Sequence, residues 1–235
     1  MTNIAYKSKK FSERYNSYRI SWQDLYDSEK AVLEQLPFNS DDSILDLGCA
    51  CGGLGIALKE KFNVEKYIGI DINLPAITQG NIINPSATLF HGDILDVQFN
   101  TLGTFDKVIS LSCIDWNIEY ELMLDRSWEF VKPGGYLIVS IKLTDQSSIC
   151  DINTSYQYID NTEKAQYTVI NIKDFIDRIN RFNVAEVIAN GYWGDIKPNT
   201  ISPYSKVCFS VFAIKKADNQ YLKKLDLPDD ILRCL

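Results

Sequence analysis

The segment DSILDLGCACGGLG, residues 42–55, joins an acidic side chain to a run of small residues. Apolar and β-favouring residues lead up to Asp46, which predicts a strand that ends near this carboxylate. The glycines, alanine and cysteines that follow allow a tight turn and a close approach of the backbone to a ligand. The pattern therefore predicts a binding site at the end of a strand, with a negative charge beside the ligand.

Three kinds of ligand could occupy such a turn. A Walker-type phosphate loop needs a lysine followed by serine or threonine after the glycines, and none follows here. A dinucleotide-binding turn fits better, because Gly48, Ala50 and Gly53 match its spacing and Asp71 ends the next predicted strand. However, Asp46 would gain nothing beside a pyrophosphate, whereas it would stabilise a ligand with a cationic end.

Short apolar runs alternate with amphipathic segments along the chain and position this turn. This alternation is typical of βα units on a mostly parallel sheet. The predicted strands are 43–47, 66–71, 87–90, 106–111, 135–141, 183–190 and 206–214, and the predicted helices are 53–62, 74–80, 118–131 and 172–181. Ser21 and Asp24 predict the start of an N-terminal helix that Pro37 ends, and a short helix is expected in the tail 217–235.

The motifs on these elements resemble, in order, those of the class I S-adenosylmethionine-dependent methyltransferases. LDLGCACGG is similar to the first motif, with Ala50 in place of its middle glycine, and YIGIDIN and LFHGDILD are similar to the second and third. FDKVISLSCIDWN resembles the fourth strand and VKPGGYLIVS the turn before the fifth. The resemblance, over residues 44–141, implies a Rossmann-like α/β fold. Its mostly parallel seven-stranded sheet would be flanked by helices, with an N-terminal helical arm and an insertion after strand five.

The resemblance also implies the cofactor, S-adenosyl-L-methionine, with S-adenosyl-L-homocysteine as its product. In the family the first motif lies beside the aminoacyl group, the counterpart of Asp71 takes both ribose hydroxyls, and the counterpart of Asp93 receives the adenine amine. The residues expected to bind the cofactor are Asp46, Gly48, Cys49, Ala50, Gly52, Asp71, Ile72, Asp93, Ile94 and Ser112. Capping or turn formation is the alternative role for Asp46, Asp71 and Asp93.

The activity implied is methyl transfer to an oxygen or nitrogen of a small-molecule acceptor, which depends mainly on alignment of the two reactants. Where the acceptor must lose a proton, Asp115 after strand four is the first candidate base, ahead of Tyr15, Tyr18 and Tyr156. Helix capping is the alternative role for Asp115. The alternative functions are a catalytically silent protein that binds S-adenosylmethionine or a partner, a nicotinamide-dependent reductase, and a methyltransferase acting on macromolecules.

A single domain is expected over residues 1–235, because the length suits one α/β domain with additions. Its predicted parts are an N-terminal arm (1–38), a cofactor-binding half (43–141), an acceptor lid (144–170), and the last helix and strands (171–216). The lid is predicted because connections between such units usually have roughly 2–6 residues, and longer ones are commonly functional.

Composition disfavours several classes of partner. The net charge is −7, and no cluster of lysines and arginines provides the footprint of a nucleic-acid binder. No apolar run reaches the roughly 18 residues that span a bilayer. Because the N-terminus also lacks the apolar core of a secretory signal, a cytoplasmic location is expected. The six scattered cysteines are expected to be reduced, and with His91 as the only histidine no metal site is expected. The oligomeric state stays open.

Overall fold

The computed structural model of the chain describes residues 19–160, 163–216 and 222–234, with the backbone alone for residues 222–225. The strands are β1 (Ser43–Leu47), β2 (Lys66–Asp71), β3 (Thr88–His91), β4 (Phe105–Ser110), β5 (Val131–Thr144), β6 (Tyr156–Tyr158), β7 (Lys164–Gln166), β8 (Ile170–Asn171), β9 (Val184–Asp195), β10 (Thr200–Ile201), β11 (Lys206–Lys216) and β12 (Leu222–Asp226). The α-helices are Asp27–Leu33, Gly53–Phe62, Leu74–Ile83, Tyr120–Glu129, Ile172–Ile179 and Asp229–Leu232, and 3-10 turns cover Trp22–Asp24, Val97–Thr101 and Ile114–Trp116.

The main sheet has the strand order β3-β2-β1-β4-β5-β11-β9-β12. Strands β1 to β5 pair in parallel, whereas β11 runs antiparallel to both of its neighbours, β5 and β9. The seven predicted strands and the predicted fold class are confirmed. The prediction of a helix in the tail missed one element, because β12 pairs in parallel with β9 before the short helix Asp229–Leu232 begins.

Helices lie on both faces of the main sheet because both faces are apolar. Successive residues of a strand point to opposite faces, and Ile138 and Val139 of β5 accordingly enter two different cores. Side chains of the helices Tyr120–Glu129 and Ile172–Ile179 close the core that holds Val139, and those of Gly53–Phe62 close the other. This two-sided burial fixes the strand ends rigidly.

The predicted N-terminal helix is wrong as a single element. The chain forms a 3-10 turn and then the separate helix Asp27–Leu33, because two carboxylates cap two helix starts in succession. Asp24 Oδ2 accepts a hydrogen bond from the backbone N–H of Ser21 at 3.0 Å, and Glu29 Oε2 accepts one from that of Tyr26 at 2.9 Å.

The insertion after β5 contains a small sheet of its own. Strands β6 and β7 form an antiparallel pair, here called the β6–β7 hairpin, and β10 adds to β6. At its base, the Tyr167 N–H donates to the Ser155 carbonyl at 3.1 Å, and the Ser155 hydroxyl donates to the Tyr167 carbonyl at 2.6 Å. The described residues of the insertion therefore form hydrogen-bonded structure of their own. The division of the chain into functional parts stays a prediction.

Candidate functional site

A cavity of about 420 Å³ lies beyond the carboxyl ends of β1, β2 and β4. Ligands of open α/β sheets bind at this edge, and the volume is within the usual range for a small-molecule site. We call one part of the cavity lining the turn side; its residues lie within 46–54, 71–73, 92–94 and 111–113, at or directly after the ends of β1, β2, β3 and β4. We call a second part the hairpin side; its residues are Trp116, Asn117, Met123, Gln157, Tyr158, Ile159, Ala165, Lys197 and Asn199.

The glycine-rich turn after β1 forms the centre of the turn side. Gly48, Ala50 and Gly52 have φ angles of +80°, +49° and +69°, the left-handed region that favours glycine. A Cβ on Gly48 would lie only 2.4 Å from the Cys113 Sγ, so no larger residue fits there without a shift. Ala50 adopts the left-handed conformation with a side chain, at a local energetic cost. The turn thereby presents bare backbone to the cavity.

Asp46 provides a buried carboxylate at this wall. It is 4% exposed, lines the cavity and accepts a hydrogen bond from the Tyr67 hydroxyl. Burial raises the pKa of Asp46 to about 7, although the hydrogen bond from Tyr67 acts in the opposite direction. A cationic ligand group in the cavity would favour the ionised form of this carboxylate.

Asp71 lies at the end of β2 with both carboxylate oxygens in use. Oδ2 accepts from the Ala50 N–H at 2.8 Å and Oδ1 from the Asn73 N–H at 2.7 Å. Burial raises the pKa of Asp71 above its ordinary value, against the effect of these two bonds. Because a carboxylate oxygen can accept two hydrogen bonds, each oxygen retains capacity for a ligand hydroxyl.

The remaining predicted cofactor residues follow β3 and β4. Asp93 is buried, lines the cavity and accepts from the Leu95 N–H at 3.0 Å through Oδ1. Apolar side chains beside these acids form a wall that suits a planar base; they are Ile72, Ile94 and Leu111. The structure thus brings nine of the ten predicted residues to one cavity, with Cys49 and Ser112 among them. Gly52 stands apart as the residue that precedes the helix Gly53–Phe62.

Asp115 does not line the cavity. Its Oδ2 accepts from the Lys142 Nζ at 2.6 Å, and both side chains are almost fully buried. The Lys142 Nζ also lies 4.2 Å from the ring centroid of Trp116 and 4.6 Å from that of Tyr167. Burial raises the pKa of Asp115 and lowers that of Lys142. The predicted role of Asp115 as general base gains no support from this placement.

The three candidate tyrosines are placed as follows. Tyr15 and Tyr18 lie outside the described residues, so their predicted roles stay predictions. Tyr156 is on β6 but does not line the cavity, and the Lys164 Nζ lies 3.8 Å from its ring centroid. Its neighbours Gln157 and Tyr158 are the residues of β6 that do line it.

Sequence reasoning missed the hairpin side and the partners of the buried acids. The ion pair of Lys142 could have been predicted. Lys142 lies inside the apolar run YLIVSIKLT, and a lysine buried in such a strand needs an oppositely charged partner. No sequence pattern indicated that Gln157, Lys197 and Asn199 lie at the cavity. They belong to polar segments, and the pairing of β6 with β10 leaves no periodic pattern in the sequence.

The thiols beside the cavity are poor nucleophiles. Burial raises the pKa of Cys51 to about 11 and those of Cys49 and Cys113 further above the ordinary value. Within residues 19–160, 163–216 and 222–234, no three His, Cys, Asp or Glu side chains are grouped to hold a metal ion. None of the helices in the described ranges is long and apolar enough to cross a bilayer.

Comparison with known proteins agrees with the predicted family. Residues 44–135, from β1 into β5, match the family model described as a methyltransferase domain. This match is consistent with the class I S-adenosylmethionine-dependent methyltransferases that the sequence motifs resemble. The predictions of family and cofactor are confirmed.

Relatives of known function differ in their acceptors. A malonyl-[acyl-carrier protein] O-methyltransferase of Marinomonas sp. is 29% identical over 68% of this chain and 60% of its own length. A trans-aconitate 2-methyltransferase of Deinococcus radiodurans is 26% identical over 48% of this chain and 41% of its own. The chain thus spans between 41% and 60% of the length of these two relatives.

Solved structures agree on the fold. An S-adenosylmethionine-dependent methyltransferase from Methanosarcina mazei superposes with a TM-score of 0.61 at 17% identity, over 83% of this chain and 99% of that one. At this identity the likeness concerns the fold.

The residues of the turn side fit S-adenosylmethionine. The bare turn after β1 leaves room for the aminoacyl part, and Asp46 offers a counter-charge for its ammonium group. Asp71 retains acceptor capacity for two ribose hydroxyls, and Asp93 stands beside Ile94 where the adenine amine and ring are expected. These acceptors are compatible with the ammonium group, the ribose hydroxyls and the adenine amine, and their assignment to the cofactor stays a prediction.

Proposed function

We propose that this protein transfers a methyl group from S-adenosylmethionine to an oxygen or nitrogen of a small-molecule acceptor. One observation carries the proposal: a single cavity is lined both by the cofactor residues of the turn side and by the hairpin side. Both sets of residues border one space of about 420 Å³. That volume is in the usual range for a small-molecule site.

The bound cofactor supplies an activated methyl group, and the protein supplies alignment. Asp46, at the end of β1, and Asp71, which accepts from the Ala50 N–H of the turn, would hold the cofactor. Trp116 and Asn117, which follow β4, and Gln157 from the hairpin confine the acceptor. Alignment of two reactants in this way contributes up to roughly 7–11 kcal/mol to catalysis, so a general base is not required for every acceptor.

The predicted lid is part of this proposal. The β6–β7 hairpin contributes Gln157, Tyr158 and Ala165 to the cavity wall, which supports an acceptor role for residues 144–170. Its base is joined to the β4 side, because the Thr168 N–H donates to the Asp115 carbonyl at 3.1 Å.

The test is transfer of a labelled methyl group. The purified protein is incubated with methyl-labelled S-adenosylmethionine and separately with the low-mass and macromolecular fractions of a cell extract. We expect label in low-mass products only. Label in protein or nucleic acid would contradict a small-molecule acceptor, and binding of cofactor without transfer to either fraction would indicate a silent binding protein.

The variant Asp71→Ala tests the proposed role of Asp71 in cofactor binding. Removal of its charge-assisted hydrogen bonds should weaken S-adenosylmethionine binding about 10- to 100-fold. Asp177→Ala, which removes an exposed carboxylate on the helix Ile172–Ile179, is the control and should bind normally.

A further inference from the structure

The hairpin side of the cavity contains donors and a cation. Three of its side chains are amides, Asn117, Gln157 and Asn199, and Lys197 is its one charged group in the described parts of the chain. The Thr200 hydroxyl bonds the Gln157 Oε1 at 3.0 Å, which fixes the amide orientation and leaves its NH₂ group to donate to a ligand. The NH₂ groups of the other two amides already donate to backbone carbonyls, Asn117 to Cys113 at 2.7 Å and Asn199 to Tyr158 at 2.6 Å. Gln157 and Lys197 are therefore the donors of this wall on which the argument for a ligand rests.

Among the described residues that line the cavity, carboxylates occur only on the turn side. Asp46, Asp71 and Asp93 line the turn side, and Asp115 is held by Lys142 outside the cavity. The second cation at the cavity, Arg19, pairs with Glu29 at 2.9 Å. Lys197 makes no ion pair within the described residues. The hairpin side consequently carries a net positive charge of one, although the chain as a whole is acidic.

Among the described residues of the hairpin side, none could accept a proton near neutral pH; Asp46, whose pKa burial raises to about 7, lies on the turn side, where the ammonium group of the cofactor is expected. The titratable side chains of the hairpin side, among the residues described, are those of Lys197 and Tyr158. A lysine is protonated at neutral pH, and a tyrosine hydroxyl is a weak base. Amines and phenols would have to lose a proton for transfer, whereas a carboxylic acid is already ionised at neutral pH.

Resting on the proposed function, we propose that the acceptor is an organic acid whose carboxylate oxygen takes the methyl group, held by Lys197 and Gln157. A carboxylate oxygen lone pair forms the new O–C bond, and the C–S bond breaks with its electron pair remaining on sulfur. The products are a methyl ester and S-adenosylhomocysteine, and no proton moves. An acid acceptor accounts for both features of the hairpin side. Its positive charge would attract a carboxylate, and a carboxylate needs no base because it is already ionised.

The experiment compares matched acceptor probes. Full-length protein and S-adenosylmethionine are mixed with 3-phenylpropanoate, octanoate or glutarate, and in parallel with 3-phenylpropylamine, octylamine or 4-ethylphenol, and products are identified by mass spectrometry. We expect methyl esters from the acids and no N-methyl or phenol ether products. Methylation of the amines or the phenol, or no ester from any acid, overturns the inference.

Variants at Lys197 link any ester formation to this wall. Lys197→Met should lower kcat/KM for the best acid about 10- to 100-fold, as expected for loss of a charged hydrogen bond, while Lys197→Arg retains most of it. Lys173→Met, an exposed lysine outside the cavity, should leave it unchanged. Equal activity of Lys197→Met and wild type overturns the inference. Titration calorimetry with S-adenosylmethionine separates the failures, because absent binding rejects the proposed function itself, whereas binding without esters rejects only the acid acceptor.

Discussion

Asp46 combines burial, a hydrogen bond and a position at the ligand cavity. Its carboxylate is buried at 4% exposure, and the Tyr67 hydroxyl is its one hydrogen-bond donor among the contacts of the described residues. Tyr67 also packs in the core against Leu54 and Leu58. One tyrosine thus couples the first motif to the packing of the helix that follows it. A raised pKa at such a place is typical of functional sites.

The free energy of unfolding should depend on pH because Asp46 is buried. The pKa of Asp46 rises from 3.8 to about 7 on folding, so the folded state holds a proton that the unfolded state releases. The stabilising contribution is fully present below pH 3.8 and is lost as the pH rises through about 7. Asp46→Asn should therefore gain stability relative to wild type across this window, on the order of a few kcal/mol by pH 8.

Urea unfolding at pH 5, 6, 7 and 8 measures this difference. The amide oxygen introduced by Asp46→Asn can still accept the hydrogen bond from Tyr67, so packing is preserved and the charge is the variable. Parallel stability curves for the two proteins would show that Asp46 titrates at its ordinary value.

At the scale of elements, the Lys142–Asp115 pair joins three parts of the structure. Lys142 is on β5, Asp115 is in the 3-10 turn after β4, and the Asp115 carbonyl accepts from Thr168 at the base of the insertion. The ring of Tyr167 packs against the Lys142 Nζ. We infer that this buried pair holds the acceptor wall, through Trp116, at a fixed place.

A double-mutant cycle tests this pair. Lys142→Met alone should destabilise the protein by about 3–5 kcal/mol, because it leaves the Asp115 charge buried without a partner. The double variant Asp115→Asn, Lys142→Met should recover much of that loss, since no unpaired charge remains. The free energies of unfolding of all four proteins give the coupling. Strictly additive losses would contradict a coupled pair.

Excision of the β6–β7 hairpin tests its role as a lid. Ser155 and Tyr167 already exchange hydrogen bonds, so a Gly-Gly bridge can replace residues 156–166 as a two-residue turn. We expect cofactor affinity within a few-fold of wild type and turnover of the acceptor reduced at least about 100-fold, from loss of alignment. Thermal melting of the variant beside wild type first checks that the excised protein folds cooperatively.

Lys164→Ala is the control for this excision. Lys164 stacks on Tyr156 on the outer face of the hairpin and does not line the cavity, so turnover should persist. Full turnover by the excised protein would place the acceptor elsewhere.

The elements with a periodic pattern of apolar residues were predicted from the sequence, and the elements without such a pattern were missed. β1, β2 and the helix Gly53–Phe62 have the predicted bounds, because alternation and motif residues mark both ends of each. The hairpin escaped prediction because its strands are three residues long and are held by pairing with β10 from a distant segment. The split N-terminal helix escaped because both Asp24 and Glu29 can cap, and the sequence pattern does not rank them.

The candidate site divides in the same way. The placement of nine predicted cofactor residues at one cavity was predictable because they lie at or near strand ends, which topology brings to one edge of the sheet. The surroundings of Asp115, the candidate general base, were not predictable. Asp115 follows β4 at the same edge of the sheet, but its carboxylate accepts a hydrogen bond from Lys142 of β5, and this contact depends on long-range burial. Local motifs fix one wall of the cavity, and long-range packing fixes the other.

At the scale of the whole molecule, residues 44–135 match a methyltransferase domain, and later parts of the chain complete the sheet and the cavity. β11 and β9 close the sheet, and the insertion after β5 covers the carboxyl edge. The central claim is that one cavity binds S-adenosylmethionine on its turn side. That claim concerns the intact chain and is independent of which acceptor is used.

Thermal melting of the full chain with four ligands tests this claim most directly. S-adenosylmethionine and S-adenosylhomocysteine, each at a hundredfold excess over its dissociation constant, should stabilise the folded protein by about 2.7 kcal/mol. NADH and NADPH should leave the melting temperature unchanged, because Asp46 and Asp71 suit an ammonium group and a ribose and offer no site for a pyrophosphate. Stabilisation by NADPH, with no shift from either S-adenosyl compound, would contradict the account.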